Sequence, residues 1–137
     1  MKAEEYLDFR ESPTPYRQAR DVFRRRTKEY AAKVIRLYGV LPRQRTEVQV
    51  LGRQLLRSGT SVAANYREAA RARSDAEFVA KIDQCAQEAD ESMLWLELLH
   101  EECGIQNSCI EWLSSETNEL IAIFVTMSKK VKRRNER

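Results

Sequence analysis

The sequence predicts an all-α protein, an antiparallel four-helix bundle with up-down-up-down topology. Glycine and proline are scarce, with 4 and 3 copies in 137 residues, and 33% of the residues are charged, which is typical of long amphipathic helices. Apolar residues also recur at steps of three and four along four separate stretches, so each stretch places them on one helix face. With 42% hydrophobic residues, the chain can build one core in one domain.

The first helix is predicted over residues 17–39. Residues 1–16 are expected to form a flexible N-terminal arm, because Ser12-Pro13-Thr14-Pro15 cannot continue a helix. Gly39 and Pro42 provide the stop signal at the other end. The apolar seam that defines this helix consists of Phe23, Thr27, Tyr30, Val34, Leu37 and Leu41.

The second and third helices are predicted over residues 46–72 and 75–103. Thr46 can cap the second helix, and Ser74 followed by Glu77 forms a capping box that starts the third. The second seam is Leu51, Leu55, Ser58, Val62, Asn65 and Ala69. The third seam is Phe78, Ile82, Cys85, Ala89, Ser92, Leu96, Leu99 and Cys103.

The fourth helix is predicted over residues 107–131, after the helix terminator Gly104. Its seam is Ile110, Leu113, Thr117, Leu120, Phe124, Met127 and Val131. Residues 132–137 form a basic C-terminal tail, so residues 17–131 constitute the bundle. Four helices of this length with short connections pack best as an antiparallel bundle.

Arginines occupy the side of the second helix opposite its seam. At roughly 100° per residue, Arg53, Arg57, Arg67 and Arg71 fall on this side, and Arg24, Arg25 and Arg26 form a further basic cluster. The planar guanidinium group fits phosphate oxygens, so these residues are candidates for contacting RNA or DNA without reading bases. The alternative interpretation is a solubilising surface.

A stripe of small residues lies between the seam and the arginines, and it consists of Gly52, Gly59, Ala63 and Ala70. Small side chains allow close packing, and Leu56 and Tyr66 are expected to be exposed beside the stripe. These six residues are therefore predicted to pack against another subunit. Ser58 and Asn65 fall on the core seam and are predicted to form structural hydrogen bonds that fix helix register, with a ligand-binding polar layer as the alternative.

The sequence offers little chemistry for catalysis, and we expect no enzyme activity, cofactor or metal. Glu97 and His100 have the E-x-x-H spacing of di-iron bundles, but a complete site needs the motif twice and the chain has one histidine. A zinc site from His100, Cys103 and Cys109 would lack a fourth ligand. The odd cysteine count and the absence of a long uncharged stretch indicate a reduced cytoplasmic protein without a membrane partner.

Several segments of the four predicted helices together carry a family resemblance. They are Leu41-Pro42, Leu51, Gln54-Leu55, Arg57, Ser61-Val62, Ala64-Asn65, Glu68, Ser74, Glu77-Phe78 and the segment from Glu88 to Leu99. With these residues the chain resembles the bacterial four-helix bundle proteins encoded in intervening sequences of 23S ribosomal RNA genes, and it is also similar to the accessory variability determinant of diversity-generating retroelements. The resemblance covers about residues 17–131, and it departs from many members at Ala69, where they carry glycine, and at Ala72, where they carry arginine.

This resemblance implies a bundle that assembles as a homopentamer around a central channel. In the retroelement branch it also implies a basic surface that binds nucleic acid and a reverse transcriptase. The leading hypothesis is therefore a non-enzymatic homo-oligomer that serves as a nucleic-acid-binding accessory or scaffold protein. The competing hypothesis is a protein-docking adaptor that recruits a reverse transcriptase or other protein without binding nucleic acid, and the weakest is a metal-dependent enzyme using Glu97 and His100.

Overall fold

The computed structural model describes residues 13–136, which fold into four helices and no strands. The helices are α1 (Pro13–Val40), α2 (Thr46–Ala70), α3 (Asp75–Glu101) and α4 (Ser108–Asn135). Each helix packs against its neighbours in the chain, and α1 also contacts α4, so the four form a closed ring. The predicted all-helical, four-helix fold is confirmed. None of the described helices is both long and apolar enough to cross a membrane.

The outer ends of the bundle extend beyond the predicted boundaries. Helix α1 begins at Pro13 instead of Arg17, because proline is tolerated in the first helical turn, where its missing N–H has no partner to lose. The rest of the predicted arm, residues 1–12, lies outside the described residues. Helix α4 continues to Asn135, and Lys132 and Arg134 of its last turn pair with acids on α3.

The helix ends are held by the capping signals that the sequence contains. Ser74 Oγ accepts from the backbone N–H of Glu77 at 3.1 Å, and the Glu77 carboxylate accepts from the N–H of Arg73. Gly104 terminates α3 with φ of 69°, a left-handed conformation that suits glycine. Thr46 is the first residue of α2, and its predicted capping role is not seen, because Arg45 occupies the cap position and its side chain forms no capping hydrogen bond.

The core contains the predicted seams of α1, α3 and α4 in full, since every seam residue of these helices is buried. At one end of the bundle, three aromatic rings from three helices pack together. The Tyr66 ring lies 6.1 Å from that of Phe23 and 6.4 Å from that of Phe124. The spacing of apolar residues therefore located most of the core correctly.

Helix α2 is rotated toward α1 relative to its predicted orientation. Leu51 and Asn65 of the predicted seam are only half-buried, and the Asn65 amide bonds the carbonyl of Ser61 on its own helix. Tyr66, predicted to be exposed at a subunit contact, is instead fully buried between α1 and α4. The prediction that Asn65 is a polar core residue and the prediction that Tyr66 is exposed were therefore wrong.

The rotation follows from the glycines of α2, which let α1 approach closely. Gly59 lies against Val34, and Gly52 lies against Tyr38 and Leu41. The small-residue stripe thus packs within one chain at both glycines, and Ala70 is buried as well. Of the six residues predicted to pack between subunits, only Leu56 and Ala63 remain half-buried.

A layer of hydroxyl groups crosses the middle of the core, with one residue from each helix. Ser58 Oγ pairs with Ser92 Oγ at 2.7 Å, and the Tyr30 hydroxyl pairs with Thr117 Oγ1 at 2.6 Å. Ser92 and Thr117 each also donate to a backbone carbonyl of their own helix, at 2.8 and 2.6 Å. Burial raises the pKa of the Tyr30 phenol, so it remains a protonated hydrogen-bonding group. Ser58 is therefore buried and hydrogen-bonded across the α2–α3 contact, and its role in fixing helix register stays a prediction.

Candidate nucleic-acid interface

The outer side of α2 carries three arginines without an ion-pair partner among residues 13–136. Arg53, Arg67 and Arg71 are all exposed. The two acids of α2 are engaged elsewhere, because Glu47 pairs with Arg45 and Glu68 pairs with Lys81 of α3. The three guanidinium groups are therefore available for an external anion.

Arg57 differs from the other arginines of α2, because it is paired within the chain. Its guanidinium group contacts the carboxylates of Glu88, at 3.3 Å, and of Glu91 on α3. The hydrogen bond from Arg57 to Glu91 is the largest cause of its raised pKa. Helical spacing explains the difference, since Arg57 lies nearer to α3 than Arg53 and Arg67 do. The structure thus assigns Arg57 to the α2–α3 contact.

Arg26 is likewise held by acids of α4. Its Nε and Nη2 atoms donate to the two carboxylate oxygens of Glu116 at 2.9 and 2.6 Å, and Nη2 also donates to Glu119 at 2.8 Å. These interactions, led by the hydrogen bond to Glu116, raise the pKa of Arg26. Two-point pairing of this kind is strong and specific. Arg24 and Arg25 of the same cluster form no ion pair among residues 13–136.

Arg24 and the neighbouring Lys28 extend the arginine side of α2 onto α1. Because Val34 contacts Gly59 and the helices are antiparallel, Arg24 comes level with Arg67. Lys28 is one helical turn away from Arg24 and is exposed. We call this set the basic surface, and it consists of Arg24, Lys28, Arg53, Arg67 and Arg71.

The sequence interpretation missed Lys28, although the spacing of α1 places it beside Arg24. It also gave no role to Arg73, which is exposed in the loop after α2 and lines a depression of about 360 Å³ with Arg71 and Lys81. Glu68 and Glu77 line the same depression, so its charge is mixed. Arg71 belongs to both this depression and the basic surface.

The residues considered for metal binding do not come together in the structure. His100 Nδ1 donates to the carbonyl of Ile105 at 3.0 Å, while Cys103 is buried and Cys109 is half-buried. Within residues 13–136, no three histidine, cysteine, aspartate or glutamate side chains come together in a group that could hold a metal ion.

Comparisons with known proteins identify relatives for most of the chain. The model of a family described as 23S rRNA-intervening sequence protein matches residues 22–126. The chain is also similar to a crystal structure from Bacteroides thetaiotaomicron VPI-5482, a protein of unknown function from the S23 ribosomal protein family. That similarity has a TM-score of 0.70 and 33% sequence identity, and covers 77% of this chain and 97% of the other. None of the curated proteins matches.

Proposed function

The chain belongs to the 23S rRNA-intervening sequence protein family, and we propose that it is a non-enzymatic, homo-oligomeric accessory or scaffold protein that binds RNA or DNA. The observation that carries the proposal is the basic surface, where five cations of α1 and α2 lie without ion-pair partners among residues 13–136. Cations that track a phosphate backbone release its counterions, and this supplies sequence-independent affinity.

The contrast between paired and unpaired arginines supports this function over a merely solubilising surface. Arg26 and Arg57 lie where acids of neighbouring helices neutralise them. On the basic surface Arg24 and Arg67 come level with each other, so like charges face each other across the α1–α2 contact. Like charges in proximity repel unless an anion lies between them. A phosphate group satisfies both, and arginine can bind it through two N–H groups.

Assembly of several subunits would strengthen the binding of nucleic acid to the basic surface. Family resemblance supports a homopentamer, and in such an assembly every subunit would present the same five cations. Linked copies of a weak site bind a long ligand much more tightly than one copy does, provided that the ligand reaches several sites. A nucleic acid is such a ligand, and a scaffold function follows from simultaneous binding at several subunits.

The proposal is tested by measuring binding of a labelled RNA hairpin and a DNA duplex between roughly 50 and 200 mM salt. Replacing Arg53, Arg67 and Arg71 together by glutamine is expected to weaken binding and to lower the slope of log K against log salt by roughly 2 to 3. The single variant Arg67→Gln is measured as well, and Lys129→Gln is its matched control. Lys129 is an exposed cation on α4, away from the basic surface.

No binding at low salt would contradict the proposed function. Binding that the triple variant leaves unchanged would do the same. Equal losses in Lys129→Gln and Arg67→Gln would show that net charge, not the basic surface, determines affinity.

A protein-docking adaptor is the second candidate, favoured by apolar side chains on the outer side of α3. Leu94 is 46% exposed, and Trp95 and Leu98 beside it are only partly covered. By the resemblance to the retroelement branch, the partner would be a reverse transcriptase. Purification from native lysate with and without nuclease separates the two functions, since an adaptor keeps its partner after nuclease treatment.

A further inference from the structure

A groove lies between the last turns of α1 and the first turns of α4, on the side of α1 away from α2. Its volume is about 540 Å³, within the range of small-molecule sites. Leu37, Val40 and Trp112 give it apolar walls, and Lys33 and Arg36 line it as well. None of these residues belongs to the basic surface.

The charged groups of Lys33 and Arg36 lie beside the other side chains that line the groove. Lys33 Nζ lies 4.1 Å from the centre of the Trp112 ring, a cation–π contact. The Cys109 thiol lines the groove together with both cations and donates to the carbonyl of Lys33 at 3.6 Å. Burial raises the pKa of this thiol, and the charges of Lys33 and Arg36 oppose that increase. Among residues 13–136 neither cation forms an ion pair. The groove therefore joins an aromatic ring to two positive charges that no acid neutralises.

We propose that the groove binds one unpaired nucleotide of a single-stranded RNA or DNA, with its base against Trp112 and its phosphate between Lys33 and Arg36. This inference rests on the proposed function, which brings nucleic acid to the neighbouring face of α1. Lys28 of the basic surface and Arg36 of the groove are about 12 Å apart along the axis of α1 and about 80° apart around it, so a strand bound at the basic surface can cross the outer side of α1 to the groove.

The chemistry of a nucleotide matches each part of the groove. A base has a flat π-face that stacks on an aromatic ring, and such stacking stabilises more than an exposed cation–π contact does. The base therefore replaces the Lys33 ammonium group on the Trp112 ring, and the ammonium turns to the phosphate that accompanies the base. An acidic peptide would use the two cations but would not supply a flat ring for Trp112. A duplex keeps its bases stacked on each other and cannot supply one either.

The test compares single-stranded RNA dodecamers with a blunt-ended RNA duplex, which has no unpaired base, and it uses the fluorescence of Trp112 in a Trp95→Phe background. The single strand is expected to quench Trp112, whereas the duplex binds the basic surface with little quenching. Trp112→Leu and the double variant Lys33→Gln/Arg36→Gln are expected to weaken single-strand binding about tenfold and to leave duplex binding within about twofold. Lys129→Gln is the matched control for charge.

Alkylation of the cysteines gives a second measurement that does not depend on a variant. Cys109 is half-buried in the groove, whereas Cys85 and Cys103 are buried and serve as internal references. The single strand is expected to slow alkylation of Cys109 specifically, at an alkaline pH, because the raised pKa of this thiol limits the thiolate at neutral pH.

The outcomes distinguish this inference from the proposed function. Duplex binding without any response of Trp112 or Cys109 to the single strand would overturn the groove site alone. Equal losses of single-strand and duplex binding in the groove variants would also overturn it, as would protection of Cys109 by an acidic peptide and not by the single strand. Absence of all nucleic-acid binding would overturn both proposals.

Discussion

Gly59 shows how the absence of one side chain sets the distance between two helices. A methyl group at this position would lie 2.8 Å from Cγ2 and 3.3 Å from Cβ of Val34 on α1. The valine branches at Cβ and has one strongly preferred rotamer in a helix, so it cannot turn aside. The close contact of α1 and α2, which brings Arg24 level with Arg67, depends on this glycine.

Gly59→Ala is therefore expected to lower the free energy of unfolding by about 1 kcal/mol, because overpacking of about 1–3 kcal/mol exceeds the gain in helix propensity. Gly39→Ala is the matched control, since nothing lies within 4 Å of a methyl group there, and it should stabilise the protein by about 0.5 kcal/mol. Urea denaturation measures both. Equal effects of the two substitutions would show that α1 does not pack tightly on Gly59.

The spacing of residues predicted burial well in helices with one apolar face. It predicted burial poorly in α2, where the apolar seam and the small-residue stripe are both able to pack against another helix. Every seam residue of α1, α3 and α4 is buried as predicted. Tyr66 was misplaced because its direction on α2 depends on how closely α1 approaches, which is a tertiary property. The ion pairs of Arg26 and Arg57 also could not be predicted, because their acids lie on α4 and α3, 90 and 31 residues away in sequence.

At the scale of elements, the break between α2 and α3 is set by a few residues with capping chemistry. Ser74 accepts from Glu77 N–H, and Glu77 accepts from the N–H of Arg73, so two backbone donors at the start of α3 are satisfied. This junction also carries Arg71 and Arg73, and so it positions one end of the basic surface. The capping box was predictable from sequence because its chemistry is local.

Ser74→Ala is expected to destabilise the protein by about 1 kcal/mol, because it removes the acceptor for the Glu77 N–H. Ser115→Ala provides the control, since Ser115 is exposed within α4, where alanine is the better helix former. The difference between the two variants in denaturant midpoint, at unchanged slope, is the measurement. A Ser74→Ala protein as stable as the Ser115→Ala protein would rule out a stabilising role for the capping box.

At the scale of the whole molecule, the bundle leaves several large apolar side chains on its outside. The most exposed are Ile35, Val40, Val50, Leu94 and Val125. Single exposed apolar residues are ordinary, but they are distributed over all four helices here, so more than one side of the bundle can contact a neighbour. A ring of identical subunits needs two different contact surfaces on each subunit.

We therefore expect the protein to sediment with about five times the 16.0 kDa mass of one chain. Sedimentation equilibrium over a range of micromolar concentrations checks this mass, and measurement at high salt separates apolar contacts from electrostatic ones, because salt screens the latter. A mass of one chain at every concentration would contradict the homopentamer.

The hydroxyl layer has a consequence for how this sequence can change over time. Ser92 and Thr117 each also donate to a carbonyl of their own helix, so loss of Ser58 or Tyr30 leaves them bonded, whereas loss of Ser92 or Thr117 removes the acceptor of its partner. Replacement of both members of a pair by apolar groups of similar shape is nearly neutral. Ser58 is therefore coupled to Ser92, and Tyr30 to Thr117, although 34 and 87 residues separate the members of each pair. Neutral drift is therefore easiest when Ser58 or Tyr30 loses its hydroxyl before its partner does, and the layer links the evolutionary history of α2 to that of α3, and that of α1 to that of α4.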